Sequence, residues 1–295
     1  MTANGGSSPA RAGCGLGRDA VRLLKLLLIV CVCAGGPAAA EPLEDAIAAA
    51  RQGDYATALH LFRPLADEGN AVAQYNLGLM YGLGRGVPQD HAAAVSWYRK
   101  AAEQGDARAQ NNLGGMYGTG QGVPLDHAAA VSWYRKAAEQ DLAMAQYNLG
   151  VMYERAEGVP QDYAAAVSWY RKAAEQGYAG GQYNLGGMYE RGQGVPQDYA
   201  AAVSWYRKAA EQGHARAQHN LGVMYGHGRG VPLDYVQAYK WFNLASSRND
   251  ASDNESRDSA VRNRDIVASK MTPAQIAEAQ KLAREWKPKP DGSRP

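Results

Sequence analysis

AQYNLGLMYGLGRGVPQDHAAAVSWYRKAAEQGDAR, from Ala73 to Arg108, decides the fold, because the chain carries it five times. Further copies begin at Ala109, Ala145, Gly181 and Ala217, and no insertion or deletion breaks the register through Trp241. Trp97, Trp133, Trp169, Trp205 and Trp241 stand 36 residues apart, as do Gly78, Gly114, Gly150, Gly186 and Gly222. Pro88, Pro124, Pro160, Pro196 and Pro232 keep the same step. A fixed period of this length is the mark of stacked supersecondary units. The stretch 43–72 upstream lacks the glycine loop but keeps Asp54-Tyr55-Ala56, Leu59, Phe62, Ala66 and Gly69 in register, and reads as a short first repeat.

Each unit reads as helix, loop, helix. Ala73, Leu77, Met80 and Tyr81 recur at spacings of three and four, an apolar helical stripe. Gly84-Arg85-Gly86-Val87-Pro88 ends that helix, and Asp90 stands where a side chain caps the next one. Ala94, Val95, Tyr98, Ala101 and Ala102 form a second apolar face, closed by Gly105. One such hairpin buries too little to stand alone. Stacking gives a continuous core, so the fold class is all-α, an α-solenoid of 36-residue repeats.

The pattern AxxNLGxMYxxGxGVPxDxxxAxxWYxxAAxQG resembles the Sel1-like repeat, a relative of the tetratricopeptide repeat, and the resemblance covers about residues 43–246. It implies a right-handed superhelix acting as a protein-interaction scaffold, often periplasmic or secreted in bacteria. A cysteine-rich branch of the family is associated with penicillin binding. The repeats of this chain contain no cysteine, which weakens any transfer from that branch.

The two ends read differently. Residues 1–40 carry Arg11, Arg18, Arg22 and Lys25, then an apolar run, then Ala38-Ala39-Ala40 before Glu41, the form of a cleaved secretory signal. The apolar run is too short to span a bilayer. Residues 247–258 are polar and read as a linker, 259–286 as a helical cap and 287–295 as a disordered tail. Thr272-Pro273-Ala274-Gln275 has the form of a capping box with proline at the first helical position.

The whole chain has 31 basic and 29 acidic residues, a formal charge of +2. The leader holds four of the basic residues and one acidic residue, which leaves 27 against 28 and a charge of −1. That balance speaks against nucleic acid as a partner. All three cysteines, Cys14, Cys31 and Cys33, also lie in the leader. The excess of 18 Tyr and 6 Trp over 2 Phe is the repeat unit copied.

No catalytic group, metal or cofactor is expected. Ser96 and its equivalents have no G-x-S-x-G context, and Ser96 to Lys100 is one residue too long for S-x-x-K. His214, His219 and His227 lack metal-ligand spacing. His91 and His127, replaced by Tyr in later copies, read as a tolerant surface position. The Trp ladder reads as packing, and the helices carrying Arg99, Lys100 and Glu103 as laced with salt bridges.

Comparison of the copies locates the expected binding face. Positions 73, 74, 76, 77, 78, 80 and 81 hardly vary, whereas 72, 75, 79 and 82 do, and their spacing puts them on one face of the first helix. That face, released from the demands of stacking, is expected to line a concave groove for a protein or peptide. Its candidate residues are Arg108, Asn111, Met144, Tyr147, Glu154, Tyr183, Glu190, Arg216 and His219. Asn76 and its equivalents either clamp a partner's backbone or bond the neighbouring loop. The rival functions are an assembly factor for an envelope complex and a penicillin-binding or β-lactamase-like enzyme.

Overall fold

The structure is a computed structural model and describes residues 40–247 and 254–289. The expected leader lies outside the described residues, apart from Ala40, which opens the first helix. Among the described residues there are fourteen helices and no strand. α1 (Ala40–Gln52) and α2 (Tyr55–Asp67) form the short first unit. Five full hairpins follow: α3 (Ala71–Leu83) with α4 (His91–Glu103), α5 (Ala107–Thr119) with α6 (His127–Glu139), and α7 (Ala143–Arg155) with α8 (Tyr163–Glu175). The last two are α9 (Ala179–Arg191) with α10 (Tyr199–Glu211), and α11 (Ala215–His227) with α12 (Tyr235–Ser246). We call them repeats 1 to 5, each with an A and a B helix. α13 (Asn254–Ala268) and α14 (Pro273–Glu285) complete the chain.

The loop residues act as the pattern requires. Gly84 ends α3 in the left-handed region at φ 66°, and Asp90 accepts from Ala93 N at 2.9 Å to start α4. Such a cap is worth about 0.5–2 kcal/mol. Gly86 and its equivalents do a different job. In repeats 2 to 5 these glycines lie against the main chain at the start of the preceding B helix, and a Cβ on Gly122 would collide with the His91 carbonyl. The first residue of each B helix is therefore a platform for the next repeat. This corrects the tolerant-surface reading of His91 and His127: both are half-buried, and the Nδ1 of each is buried.

Inside each hairpin a ring sits on a glycine. A Cβ on Gly78 would come within 2.5 Å of the Tyr98 ring, and the same pairing repeats through Gly222 and Phe242. Between hairpins a polar ladder runs through the core. Gln74 is 4% exposed, donates to Ala66 O of the preceding unit and accepts from Gln104 at 2.7 Å. Gln110, Gln146 and Gln182 are placed alike, so each buried amide is satisfied on both sides.

The conserved cations also couple repeats. Arg99 donates to Tyr117 Oη at 2.8 Å, a bond repeated at 18-residue separation from Arg63–Tyr81 to Arg207–Tyr225. Lys100 Nζ lies 4.1 Å from the centre of the Trp97 ring, which packs on the core of the preceding unit. The ion pairs among the described residues do not join Arg99 or Lys100 to Glu103. The expected salt-bridge lacing is thus replaced by cation–π and tyrosine contacts, because the lysine stem reaches back one turn over the indole.

At the C-terminal end, Val267 and Ala279 pack with Ala238, Tyr239 and Phe242, and Trp286 packs against the core cluster that holds Trp241, Leu244 and Ala283. α13 begins at Asn254, inside the segment read as a linker. Thr272 and Gln275 form the reciprocal capping box. The segment after α14 is held where a free tail was expected: Lys289 donates from its backbone N to Glu211 O at 2.8 Å and from Nζ to Glu211 Oε2 at 2.7 Å. Residues 290–295 lie outside the described residues. Among the described residues no helix is long and apolar enough to cross a membrane.

Candidate binding face on the A helices

The varying positions of α3, α5, α7, α9 and α11 do fall on one side of each A helix, but they are not released from stacking. Position 75 of one repeat meets position 70 or 72 of the next. The Arg108 guanidinium lies 4.4 Å from the centre of the Tyr75 ring and pairs with Asp106 at 2.8 Å. Asn111 is 6% exposed and its amide approaches Met144 Sδ at 3.6 Å, while Met144 itself is 47% exposed. Tyr147 packs on Tyr178 with ring centres 5.3 Å apart. Tyr183 stacks on His214 at 4.8 Å and feels the charge of Arg216. His219 closes the series against Asn263 of α13, 3.0 Å away, and Phe242.

The stripe is therefore a ladder of matched pairs, cation on ring, amide on thioether, ring on ring. Its variation is constrained between neighbours, which corrects the expectation of independent positions. Gly180 illustrates this. A Cβ there would approach the rings of Tyr178 at 2.9 Å and Tyr147 at 3.3 Å, so the small residue accompanies the ring pair.

Among the described residues the side-chain bonds of Asn76 and its equivalents stay on the A helices rather than reaching a neighbouring loop. Asn112 Oδ1 accepts from Asn111 Nδ2 at 3.3 Å, and Asn220 Oδ1 lies 3.4 Å from His219 Nδ1. Asn148 instead donates to Asn111 Oδ1 at 2.9 Å, and Asn76 donates to Val72 O within its own helix.

Position 82 divides the face electrostatically. Glu154 accepts from Tyr170 Oη at 2.6 Å and from Arg191 Nη2 of the next repeat at 3.1 Å. Glu190 accepts from Tyr206 Oη at 2.6 Å. Burial, followed by these carboxylates, pushes both phenols far above the ordinary tyrosine range. Repeats 1 and 2 have Gly82 and Gly118 instead, and there burial pushes Tyr98 and Tyr134 up to about 12. The histidines take separate places: His214 caps α11, His227 bonds Val223 O, and His219 faces the cap. Among the described residues no group of three His, Cys, Asp or Glu side chains is close enough to hold a metal.

The sequence pattern of the Sel1 repeat matches six successive segments, 48–70, 71–106, 107–142, 143–178, 179–214 and 215–250. A Sel1 repeat protein from Oxalobacter formigenes has a solved structure 30% identical to this chain; the match covers 84% of this chain and 99% of that one, with a TM-score of 0.70. A protective antigen of uropathogenic Escherichia coli strains, displaying an SLR fold, is 28% identical over 79% of this chain and 72% of its own, at a TM-score of 0.38. The immunity protein Pa5087 of Pseudomonas aeruginosa is 20% identical over 84% and 88%, at 0.45. Comparison with curated proteins found no match.

Proposed function

The chain belongs to the Sel1 repeat family, and from that premise we propose that it is a non-catalytic, exported scaffold that binds a protein or peptide along the varying face of its A helices. One observation carries this reading. The side chains of that face are ordered by one another from repeat to repeat, as in Arg108 on Tyr75 and His214 on Tyr183, yet Arg108, Met144 and Arg216 remain exposed. Preorganised side chains lose little freedom when a partner arrives, which favours binding. The mixture of rings, amides and both charges suits an extended polypeptide. The composition of residues 1–40 supports export to the periplasm or beyond.

A photoreactive benzophenone side chain placed at Met144, compared with one at Ser132 on the exposed side of α6, tests the reading in cells. A discrete adduct is expected from Met144 alone, reduced by the reversals Arg108→Glu and Arg216→Glu. Equal adducts from both positions would overturn the assignment of the face. Labelled β-lactam should leave the protein unmodified.

A further inference from the structure

The rung between repeats 2 and 3 departs from the others. Tyr75, Tyr147 and Tyr183 each meet a cation or a ring from the next repeat, whereas Asn111 meets the thioether of Met144. Asn111 is 6% exposed, and three contacts fix its carboxamide. Oδ1 accepts from Asn148 at 2.9 Å, and Nδ2 donates to Asn112 Oδ1 at 3.3 Å and to Met144 Sδ at 3.6 Å. Both acceptors of that amino group are poor, one by distance and the other because thioether sulfur accepts weakly. A nearly buried donor spent on sulfur forgoes the bond that an oxygen would give it.

Met144 also differs from the other methionines in access. Met80, Met116, Met152, Met188 and Met224 lie in the repeat cores, none more than 8% exposed, and Met271 is half-buried against the cap. Met144 is 47% exposed. Cys14, Cys31 and Cys33 all precede the first helix, so no thiol competes for an oxidant along the repeats.

We propose that Met144 is an oxidation site, converted reversibly to methionine sulfoxide by a peroxide, with Asn111 Nδ2 as the built-in donor to the sulfoxide oxygen. A sulfur lone pair attacks one peroxide oxygen, the S–O bond forms and the O–O bond breaks. The proton of the attacked oxygen passes to the departing hydroxide, which leaves as water. Sulfur loses the two electrons that the peroxide gains. A dithiol reductant reverses the change, taking the oxygen away as water and becoming a disulfide. In a repeat core the same oxidation would force a polar group into apolar packing. At Met144 it happens at the surface, beside a buried donor whose present acceptors are weak. Oxidation thus makes this rung polar without unpacking the repeats, and it does so midway along the A-helix face.

The test exposes the full chain to hydrogen peroxide at neutral pH. Trypsin then releases residues 137–155, which hold both Met144 and Met152, so fragment masses compare the exposed and the buried sulfur within one peptide. Addition of one oxygen is expected at Met144 at least about tenfold faster than at Met152. In the isotope-labelled protein the Asn111 side-chain amide should move downfield as Met144 oxidises, and return on treatment with methionine sulfoxide reductase and a dithiol. Met144→Gln offers an amide oxygen at similar reach and should give the downfield shift with no oxidant. Met144→Leu should abolish the peroxide response and keep the thermal midpoint within about 2 °C of the parent. Equal rates at Met144 and Met152, an Asn111 amide that stays in place on oxidation, or a response that persists in Met144→Leu would overturn the site. So would a thermal midpoint lowered by more than about 5 °C on oxidation of Met144, since the oxygen would then be disrupting the rung. These readouts need no partner, so they stand or fall independently of the Met144 crosslink that tests the binding face.

Discussion

Gly122 lies against the carbonyl of His91 so closely that no side chain fits between the loop of repeat 2 and the start of α4. Its φ of 72° adds a second restriction. Gly120, two residues earlier, has φ 69°, but a Cβ there would meet only Leu125, at 3.4 Å. Gly122→Ala therefore combines a left-handed residue with a main-chain collision, and should destabilise by about 3 kcal/mol or more. Gly120→Ala meets only the conformational cost, about 1 kcal/mol. Urea unfolding of the two variants separates the cases. Equal losses would mean that the inter-repeat contact is soft.

Repeat 3 has already made the milder change. Ala156 stands at the position of Gly84 and ends α7 at φ 59°. No copy replaces the glycine equivalent to Gly86, in keeping with the collision described above. Ala156→Gly removes the strain and should stabilise by about 1 kcal/mol, in spite of the greater freedom of glycine when unfolded. The thermal midpoint should rise by roughly 2–4 °C. A fall would show that the neighbouring loop has adapted to alanine.

The period, the helix boundaries and the caps are legible in the chain, because glycine, proline and aspartate act locally and recur at one step. What stayed hidden is what depends on the angle between repeats. Tyr75 and Arg108 are 33 residues apart, and nothing in their types pairs them until α3 and α5 are side by side. The variation of the stripe therefore looked like freedom when it was matched exchange. The lysine over Trp97 was within reach of sequence reasoning, since positions three apart share a helical face. Glu103 offered a nearer charge and drew the reading away from it.

The glutamine ladder gives a third test. Gln110 donates to Ala102 O at 3.0 Å and accepts from Gln140 at 2.8 Å. Ala102 O keeps its backbone donors, Gly105 N and Gln104 N, so Gln110→Leu removes one donor without orphaning the carbonyl. A loss of about 1–2 kcal/mol is expected. Gln140→Ala leaves Gln110 Oε1 buried without its donor and should cost about 1 kcal/mol. In the double variant the costs should fall short of their sum by about 1 kcal/mol, since one bond is counted twice. Strict additivity in denaturant unfolding would remove the ladder from the account of repeat coupling.

The cap should respond to pH through His219. Its ring is half-buried between Phe242, 5.5 Å away, and Asn263, whose amide lies 3.0 Å from Nε2. Burial holds its pKa below the ordinary histidine value of 6.5, with only partial relief from Asn220. The unfolded chain therefore takes up the proton first as pH falls. Stability is complete above about 6.5 and declines as pH drops through the lower folded value. The loss should concentrate where α13 docks, seen as faster amide exchange around Val267 and Ala260 at pH 5 than at pH 7.5, after correction for intrinsic rates. His219→Gln keeps a polar group facing Asn263 and cannot charge, so it should flatten this dependence. His227→Gln, at an exposed position, should leave it as in the parent. If the parent and His219→Gln lose cap protection in parallel on acidification, the proton is acting elsewhere.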